Sequence, residues 1–245
     1  MPLLNTADAV YLGASAVDKV YLGANEVWPG GYAAEVLADS PLSYWRLEET
    51  SGSTVADEQG ARTGTVYGAN LNVAGQIGSA ASFDGVDDYI DVGDAPESMG
   101  AVTVEAIIKV ALGAEGQIIC ADRDNPLSLR GFQFRVFAGK LDLIKIASGV
   151  ATATSATSVD DDAWHHVAGT YDGTNLRVYV DGSLDGTAAG TGAITGTSSG
   201  PLRVGNSARA GGELFISGTV DEPAFYDYAL SGARILAHAQ SAGVA

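Results

Sequence analysis

Apolar residues in this chain recur at every second position, in short runs cut off by glycine and aspartate. Leu176, Val178 and Val180 alternate with Arg177, Tyr179 and Asp181. Val104, Ala106, Ile108 and Val110 form a second row, and Phe132, Phe134 and Val136 a third. Successive side chains of a strand point to opposite faces, so this period implies one buried and one wet face, the pattern of antiparallel sheets. Asp84-Gly85, Asp172-Gly173, Asp181-Gly182 and Asp185-Gly186 are tight-turn signals between such runs. The rhythm is that of an all-β sandwich or barrel.

The alternation predicts strands over 43–48, 64–67, 80–83, 88–92, 103–110 and 116–120. Further strands are predicted over 132–137, 141–146, 165–171, 176–181, 202–205 and 219–226. Ala138-Gly139-Lys140 is expected to link two paired strands. The small-residue segment from Ser183 to Gly200 reads as a weak edge strand or a long surface loop. Ser231 can cap a helix running to Ala239, with Ile235, Leu236 and Ala239 on its apolar side. Residues 32–245 read as one domain.

Residues 1–31 are organised differently. Val10-Tyr11-Leu12-Gly13-Ala14 returns ten residues later as Val20-Tyr21-Leu22-Gly23-Ala24, and the second copy closes on Trp28-Pro29-Gly30-Gly31. Each copy reads as a strand, a Gly-Ala turn and a second short strand. Units below about 40 residues rarely fold alone without disulfides, metals or partners, and this stretch has no cysteine. Its readings are a hairpin packed on the main domain, or a docking and oligomerisation module in which Tyr11, Leu12, Tyr21, Leu22 and Trp28 make the contacts.

Thirty acidic residues against 13 basic ones give a formal charge of −17. Phosphate neutralisation needs clustered Lys and Arg, so nucleic acid is not an expected partner, and anionic membrane surfaces are disfavoured for the same reason. The lone Cys120 excludes an intramolecular disulfide and sits in an apolar run, so it reads as core packing. Met1-Pro2-Leu3-Leu4-Asn5 carries no basic region and no long apolar stretch, so no signal peptide is expected. No run approaches the roughly 20 apolar residues of a membrane span. These readings place the protein in a cytoplasm, from which it leaves by lysis or within a particle.

Three segments together resemble a known family. They are Ser82-Phe83-Asp84-Gly85-Val86-Asp87-Asp88-Tyr89-Ile90; Trp164-His165-His166-Val167-Ala168-Gly169-Thr170-Tyr171-Asp172-Gly173 with Leu176-Arg177-Val178-Tyr179-Val180-Asp181-Gly182; and Gly218-Thr219-Val220-Asp221-Glu222-Pro223-Ala224-Phe225-Tyr226 with Ala229-Leu230-Ser231. In this order they resemble the laminin-G-like branch of the concanavalin A-like lectin/glucanase superfamily, over roughly residues 35–242. The resemblance implies a jelly-roll β-sandwich of two curved antiparallel sheets with first and last strands adjacent. Separately, the Tyr-Leu-Gly units ending in Val-Trp-Pro resemble the short N-terminal modules of bacteriophage minor tail proteins, over about residues 7–29. That second resemblance implies a virion surface component, assembled in the host cytoplasm, that contacts other virion proteins and forms a homo-oligomer, with a trimer as the expectation.

Glucanases of this fold carry a Glu-x-Asp-x-x-Glu pattern on one strand face, with two carboxylates about 5 Å apart in retaining enzymes. No segment here has that spacing. Glu105 has Ile107 and Lys109 as same-face neighbours, and Glu48-Glu49 point to opposite faces, so hydrolysis is not expected. His165 and His166 also project to opposite sides and cannot share one ion; His166 shares a face with Trp164 and reads as packing, and His238 as a surface or packing residue. Calcium takes roughly six to eight oxygen ligands, and Asp87-Asp88, Asp160-Asp161-Asp162 and Asp221-Glu222 are the richest acidic places. The family resemblance implies a structural calcium near the first and last strands, at Asp57 and Asp221. Carbohydrate recognition needs an exposed aromatic platform with convergent polar groups. Asp122, Arg123 and Asn125 in one loop, and Asn206 and Arg209 in another, are the candidate ligand-binding residues. The leading expectation is a non-enzymatic phage surface protein that displays a lectin-like domain towards a host-surface glycan or protein. A free carbohydrate-binding module, a purely structural particle component and a glycan hydrolase with an unrecognised site stand as alternatives.

Overall fold

The structure is a computed structural model that describes residues 11–12, 15–16, 20–22, 25–28, 31–96, 98–122, 131–147, 149–195, 201–207 and 214–245. Two eight-stranded antiparallel sheets make up most of it. One runs in the order Ser183–Ala189, Asn175–Val180, Trp164–Tyr171, Val102–Val110, Ser217–Tyr226, Ser79–Asp84 and Asn70–Ala74, with Ser43–Tyr44 added beside Ser217–Tyr226. The other runs Gly149–Ser158, Lys140–Ala147, Gly131–Phe137, Gly116–Asp122, Pro201–Val204, Tyr89–Asp94, Gly64–Tyr67 and Thr54–Val55. The expected all-β sandwich is therefore what forms, and its first and last strands are neighbours: Tyr44 pairs with Ala224 and Ser43 with Phe225.

The main core lies between the sheets. Val104, Ala106, Ile108 and Val110 enter it from one sheet, and Phe132, Phe134 and Val136 from the other. Phe132 and Phe225 meet across the middle with ring centroids 5.9 Å apart. The turn chemistry behaves as its residues require. Asp181 (φ 49°) and Gly182 (φ 77°) both take positive φ in a two-residue hairpin joining Val180 to Ser183, the geometry that matches strand twist. Ala138 (φ 50°) and Gly139 (φ 75°) do the same between Phe137 and Lys140.

Two helices add what alternation did not predict. α1 spans Gly31–Ala38 and α2 spans Gly232–Ser241. Ser231 caps α2 by accepting a hydrogen bond from the Arg234 backbone N–H at 3.4 Å. The α1 segment was expected to be the end of a linker and the start of the domain, because eight residues with no capping side chain carry little local signal. Together the helices cover the outer face of the first sheet. Tyr32, Val36, Leu230 and Ile235 pack there on Tyr44, Ile107, Ala168, Tyr179, Ala224 and Tyr226. Tyr179, expected on the wet face, is thus buried, and so are Thr103, Glu105 and Ile107. Among the predicted apolar residues of α2, Ile235 and Ala239 are buried, whereas Leu236 is exposed and His238 takes the inward place.

Other elements differ in extent. The strand expected over 43–48 stops at Tyr44, and Leu47 adopts φ 59°. Gly149–Ser158 and Asn70–Ala74 are edge strands that sequence reading passed over. Ser183–Ala189 is the edge strand of its sheet. The two copies of the N-terminal repeat form two hairpins: Tyr11 pairs with Ala16 and Leu12 with Ser15, then Tyr21 with Glu26 and Leu22 with Asn25. The second hairpin repeats the first at a shift of ten residues. Its last strand ends at Trp28, and α1 begins at Gly31, so the expected boundary after residue 31 falls at the first residue of α1.

Candidate functional site

Among the described residues, no helix covers the second sheet in the way α1 and α2 cover the first; Gln133, Asp142 and Ile144 on its outer face are nonetheless buried, and the open part lies towards Tyr67. Along Tyr89–Asp94, Ile90 and Val92 go into the core, which turns Tyr89 and Asp91 outward. Register places Tyr67 directly opposite Tyr89. Their rings stack, 4.5 Å between centroids and 12° between planes. Arg203 lies opposite Asp91 on the next strand. Its guanidinium sits 4.4 Å over the Tyr89 ring, and its Nε is 3.5 Å from Asp91 Oδ2. Three flat groups, Arg203, Tyr89 and Tyr67, are thereby layered across three strands, and Tyr67 keeps 46% of its surface open.

A second group of the same kind lies farther across the face. Arg135 donates to Asp142 Oδ2 from Nε and Nη2, both at 3.2 Å, and its guanidinium is 4.5 Å from the Phe137 ring centroid. Thr154 Oγ donates to Asp142 Oδ1 at 2.6 Å. Strand pairings connect the two groups through Asp91–Arg203, Arg203–Cys120, Cys120–Gln133 and Gln133–Ile144. At about 4.8 Å per strand, the five steps from Tyr67 to Asp142 cover roughly 24 Å. Aromatic faces favour the C–H surfaces of a ligand, while paired Arg and Asp offer donors and acceptors to hydroxyls. Sequence reading missed this platform. The signal was present as outward positions in Tyr89-Ile90-Asp91-Val92 and Leu202-Arg203-Val204, but only register sets Tyr67 against Tyr89.

The described residues at the starts of the two loops chosen from sequence lie at opposite ends of one strand pair. Ala121 pairs with Leu202 and Ile119 with Val204, so the chain after Asp122 leaves beside Pro201, whereas the chain after Val204 leaves towards Gly116. Gly205 N–H donates to the Ile118 carbonyl at 3.1 Å at that far end. Asn206 is buried, and its Oδ1 has no hydrogen-bond partner. Arg123, Asn125 and Arg209, and the side chain of Asp122, lie outside the described residues. The same holds for the side chains of Tyr11, Leu12, Tyr21, Leu22, Trp28 and Cys120.

Asp57 and Asp221 sit near the first and last strands, as the resemblance implied, but their oxygens do not suit a shared calcium ion. Asp57 Oδ1 accepts from the backbone N–H groups of Tyr44 (2.9 Å) and Gln59 (3.0 Å). Its Oδ2 accepts from Ala61 (3.2 Å) and Arg62 (2.9 Å). Four donors on two oxygens occupy the lone pairs an ion would need. Asp221 is wholly buried; Oδ2 accepts from the Ile77 N–H at 2.9 Å, and Oδ1 has no partner. Burial raises its pKa to about 8. Burial also raises Glu222 to about 7, against the opposing pull of the Tyr44 hydroxyl and of Arg46. Neither Asp57 nor Asp221 belongs to a cluster of three metal-ligating side chains among the described residues.

One such cluster gathers three residues that sequence reading kept apart. Glu105 is fully buried at the centre of Val102–Val110. It receives His166 Nε2 at 3.2 Å, His238 Nδ1 at 3.0 Å and the Tyr226 hydroxyl at 2.5 Å. His238 Nε2 reaches Asp39 Oδ2 at 3.0 Å, and Arg234 ties Asp39 (2.6 Å) and Glu35 (2.8 Å) to α2. Burial opposes the charge on Glu105, yet the His238 charge and the imidazole bonds hold it well below the usual carboxylate range. For His238, burial likewise opposes charge, and Glu105 and Asp39 overcome it, raising its pKa. Of the two expectations for His238, surface or packing, burial selects the second, and the residue is a buried ionic clasp between sheet and helices. His165 belongs to a separate group, with Asp181 at 2.9 Å and Asp161 at 3.1 Å.

Comparison with known proteins agrees with this architecture. A family model for the concanavalin A-like lectin/glucanases superfamily, Laminin_G_3, matches residues 84–236. No curated protein sequence matches the chain. Among solved structures, domain 4 of an extracellular arabinanase from Geobacillus stearothermophilus, in complex with arabinotriose, aligns with a TM-score of 0.65 at 17% identity, covering 82% of this chain and 98% of that one. The binding domain of Paraclostridial Mosquitocidal Protein 1 aligns with a TM-score of 0.66 at 14% identity, covering 84% and 53%. The ligand binding domain of botulinum neurotoxin serotype D, in complex with N-acetylneuraminic acid, aligns with a TM-score of 0.63 at 14% identity, covering 85% and 52%. The chain thus spans about half the length of each toxin binding domain. These identities speak for the fold alone. The family model, by contrast, takes in more than half of the residues, including the Asp221-Glu222 strand and the first half of α2, and on that match the chain belongs to the Laminin_G_3 family of the concanavalin A-like lectin/glucanases superfamily.

Proposed function

We propose that this protein is a non-enzymatic adhesive module that recognises a surface glycan through the exposed Tyr67 end of the second sheet's outer face. The observation that carries the reading is the Arg203–Tyr89–Tyr67 stack with its Asp91 partner. Glycans present alternating apolar C–H faces and hydroxyls, and this surface presents aromatic planes beside paired charges. The lectin-like fold supports it, as do structural neighbours solved with arabinotriose and with N-acetylneuraminic acid. The non-enzymatic part rests on Glu105 being sealed under the helices, where no substrate reaches it.

The attachment half of the proposal concerns the twin hairpins. Two copies in one register offer a repeated docking unit for other virion proteins of a phage tail, or for further copies of the chain as a homo-oligomer. This part rests on the sequence resemblance to minor tail proteins and on the repeat itself.

A glycan array with the full chain tests the first half. Tyr67→Ala and Arg203→Ala are expected to lower binding of any glycan hit at least ten-fold while leaving the melting temperature within a few degrees. Retained affinity in both variants, or an array without hits, would sink the reading. Light scattering of the full chain against a chain lacking residues 1–28 tests self-association, which an unchanged oligomeric state would remove; incorporation of the truncated chain into particles at the parent level would remove the docking role.

A further inference from the structure

Lys145 is the one lysine or arginine among the described residues that is almost wholly buried, at 2% exposure. It lies on Lys140–Ala147 between Phe132 and Ala151 of the neighbouring strands, on the side that Leu141 and Leu143 turn into the core. Its ammonium is thus inside the sandwich, near the edge where the sheets separate. There it donates to the Thr191 carbonyl at 2.6 Å and stands 5.4 Å from the Tyr171 ring centroid. No carboxylate among the described residues pairs with it. Burial alone lowers its pKa, with no acidic neighbour to offset the effect.

An ammonium has three donors. One carbonyl uses one of them, and the Tyr171 face supplies a modest cation–π attraction. Taking a cation out of water without a counter-charge is unfavourable, so an anion brought onto this ammonium would be held by it. The site also has room for one. A cavity of about 250 Å³ opens beside Lys145, walled by Gly149, Val150, Ala151, Ala189, Gly190 and Thr191. The lining side chains are small, Gly149, Ala151, Ala189 and Gly190 among them.

We propose that this cavity is a second ligand site, which takes the carboxylate of an acidic monosaccharide or of an acidic sugar at a chain end onto the Lys145 ammonium. A carboxylate fits better than a phosphate, because one ammonium balances a single charge and the lining adds no Arg or other Lys. Recognition acts at contact range, since a chain of net charge −17 repels anions from a distance. The site is separate from the Tyr67–Tyr89 face, so either can fail without the other.

The test is calorimetry of the full chain with D-glucuronate, D-galacturonate and N-acetylneuraminate, against D-glucose, D-galactose and inorganic phosphate. At least one acidic sugar is expected to bind ten-fold or more tighter than the neutral sugars and phosphate. Lys145→Met keeps the stem, and should abolish that preference without lowering the melting temperature. Tyr67→Ala should leave it intact. In the unmodified protein, the Lys145 ammonium resonance should shift with the binding acidic sugar and not with its neutral counterpart, a readout that does not depend on whether the variant folds. Equal binding of acidic and neutral sugars, binding led by phosphate, binding retained in Lys145→Met, or an unmoved Lys145 resonance would each overturn the proposal.

Discussion

Replacing Asp221 with asparagine should flatten the pH dependence of stability. Asp221 is wholly buried, with one oxygen on the Ile77 N–H, the other unpartnered and Glu222 beside it. Burial lifts its pKa from the usual 3.8 to about 8. An acid whose folded pKa is raised holds a proton in the folded state that the unfolded chain releases. Folding therefore takes up a proton once the pH exceeds the unfolded value, and stability declines as pH rises towards the folded value. Each pH unit within that window is worth about 1.4 kcal/mol. Between pH 5 and pH 8, Asp221 alone should remove about 3–4 kcal/mol, a large share of the roughly 5–15 kcal/mol that stabilises a domain. Asparagine carries no titrating proton and keeps an oxygen for Ile77. Urea unfolding midpoints at half-unit steps from pH 5 to pH 8 would measure the slope for both proteins. If Asp221→Asn ran parallel to the parent across that range, Asp221 would be ionised in the folded protein and the argument from burial would be refuted.

Other expectations concern the clasp, a turn and the remaining titrations. Glu105→Ala leaves His166 and His238 without their shared acceptor and should cost about 3–5 kcal/mol, read as a lower urea midpoint. His238 has a raised folded pKa, so its stabilisation is complete below the unfolded value and fades as pH rises through the folded one; Glu105 is depressed, so its contribution is complete above the unfolded carboxylate value and fades in acid. The clasp is accordingly strongest between about pH 4.5 and 6.5, and His238→Gln should weaken the loss of stability above that window, seen as a shallower fall in melting temperature. Ala138 holds φ 50° in a two-residue turn, a place where asparagine is at ease, so Ala138→Asn should raise stability by about 0.5–1 kcal/mol.

What was legible from sequence followed local rules. Alternation in Val104 to Val110 is set by the pleat, Asp181-Gly182 by the sterics of positive φ, and the Ser231 cap by unpaired N–H groups at a helix start. The repeat was legible as two strand-turn-strand units for the same reason. What was hidden depends on position in space. Thr103, Glu105 and Ile107 look like a wet face until α1 and α2 are laid over them. His166 and His238 acquire their meaning from Glu105, which lies far from both along the chain. Tyr67 and Tyr89 form a platform only through register. Gly149–Ser158 is small and polar because an edge strand has little to bury, so it carried no core signal.

The clasp also determines how a pull would travel through the molecule. The chain leaves the second hairpin at Trp28 and enters the sandwich as α1. Tension applied from the side of the hairpins therefore reaches α1 first. There it is met by Asp39, held by His238 and Arg234, and by Glu35, held by Arg234. The backbone ladder between Ser43–Tyr44 and Ser217–Tyr226 comes only afterwards. Ionic contacts anchored in Glu105 thus act as the first mechanical bearing of the domain, and the strand ladders lie behind them.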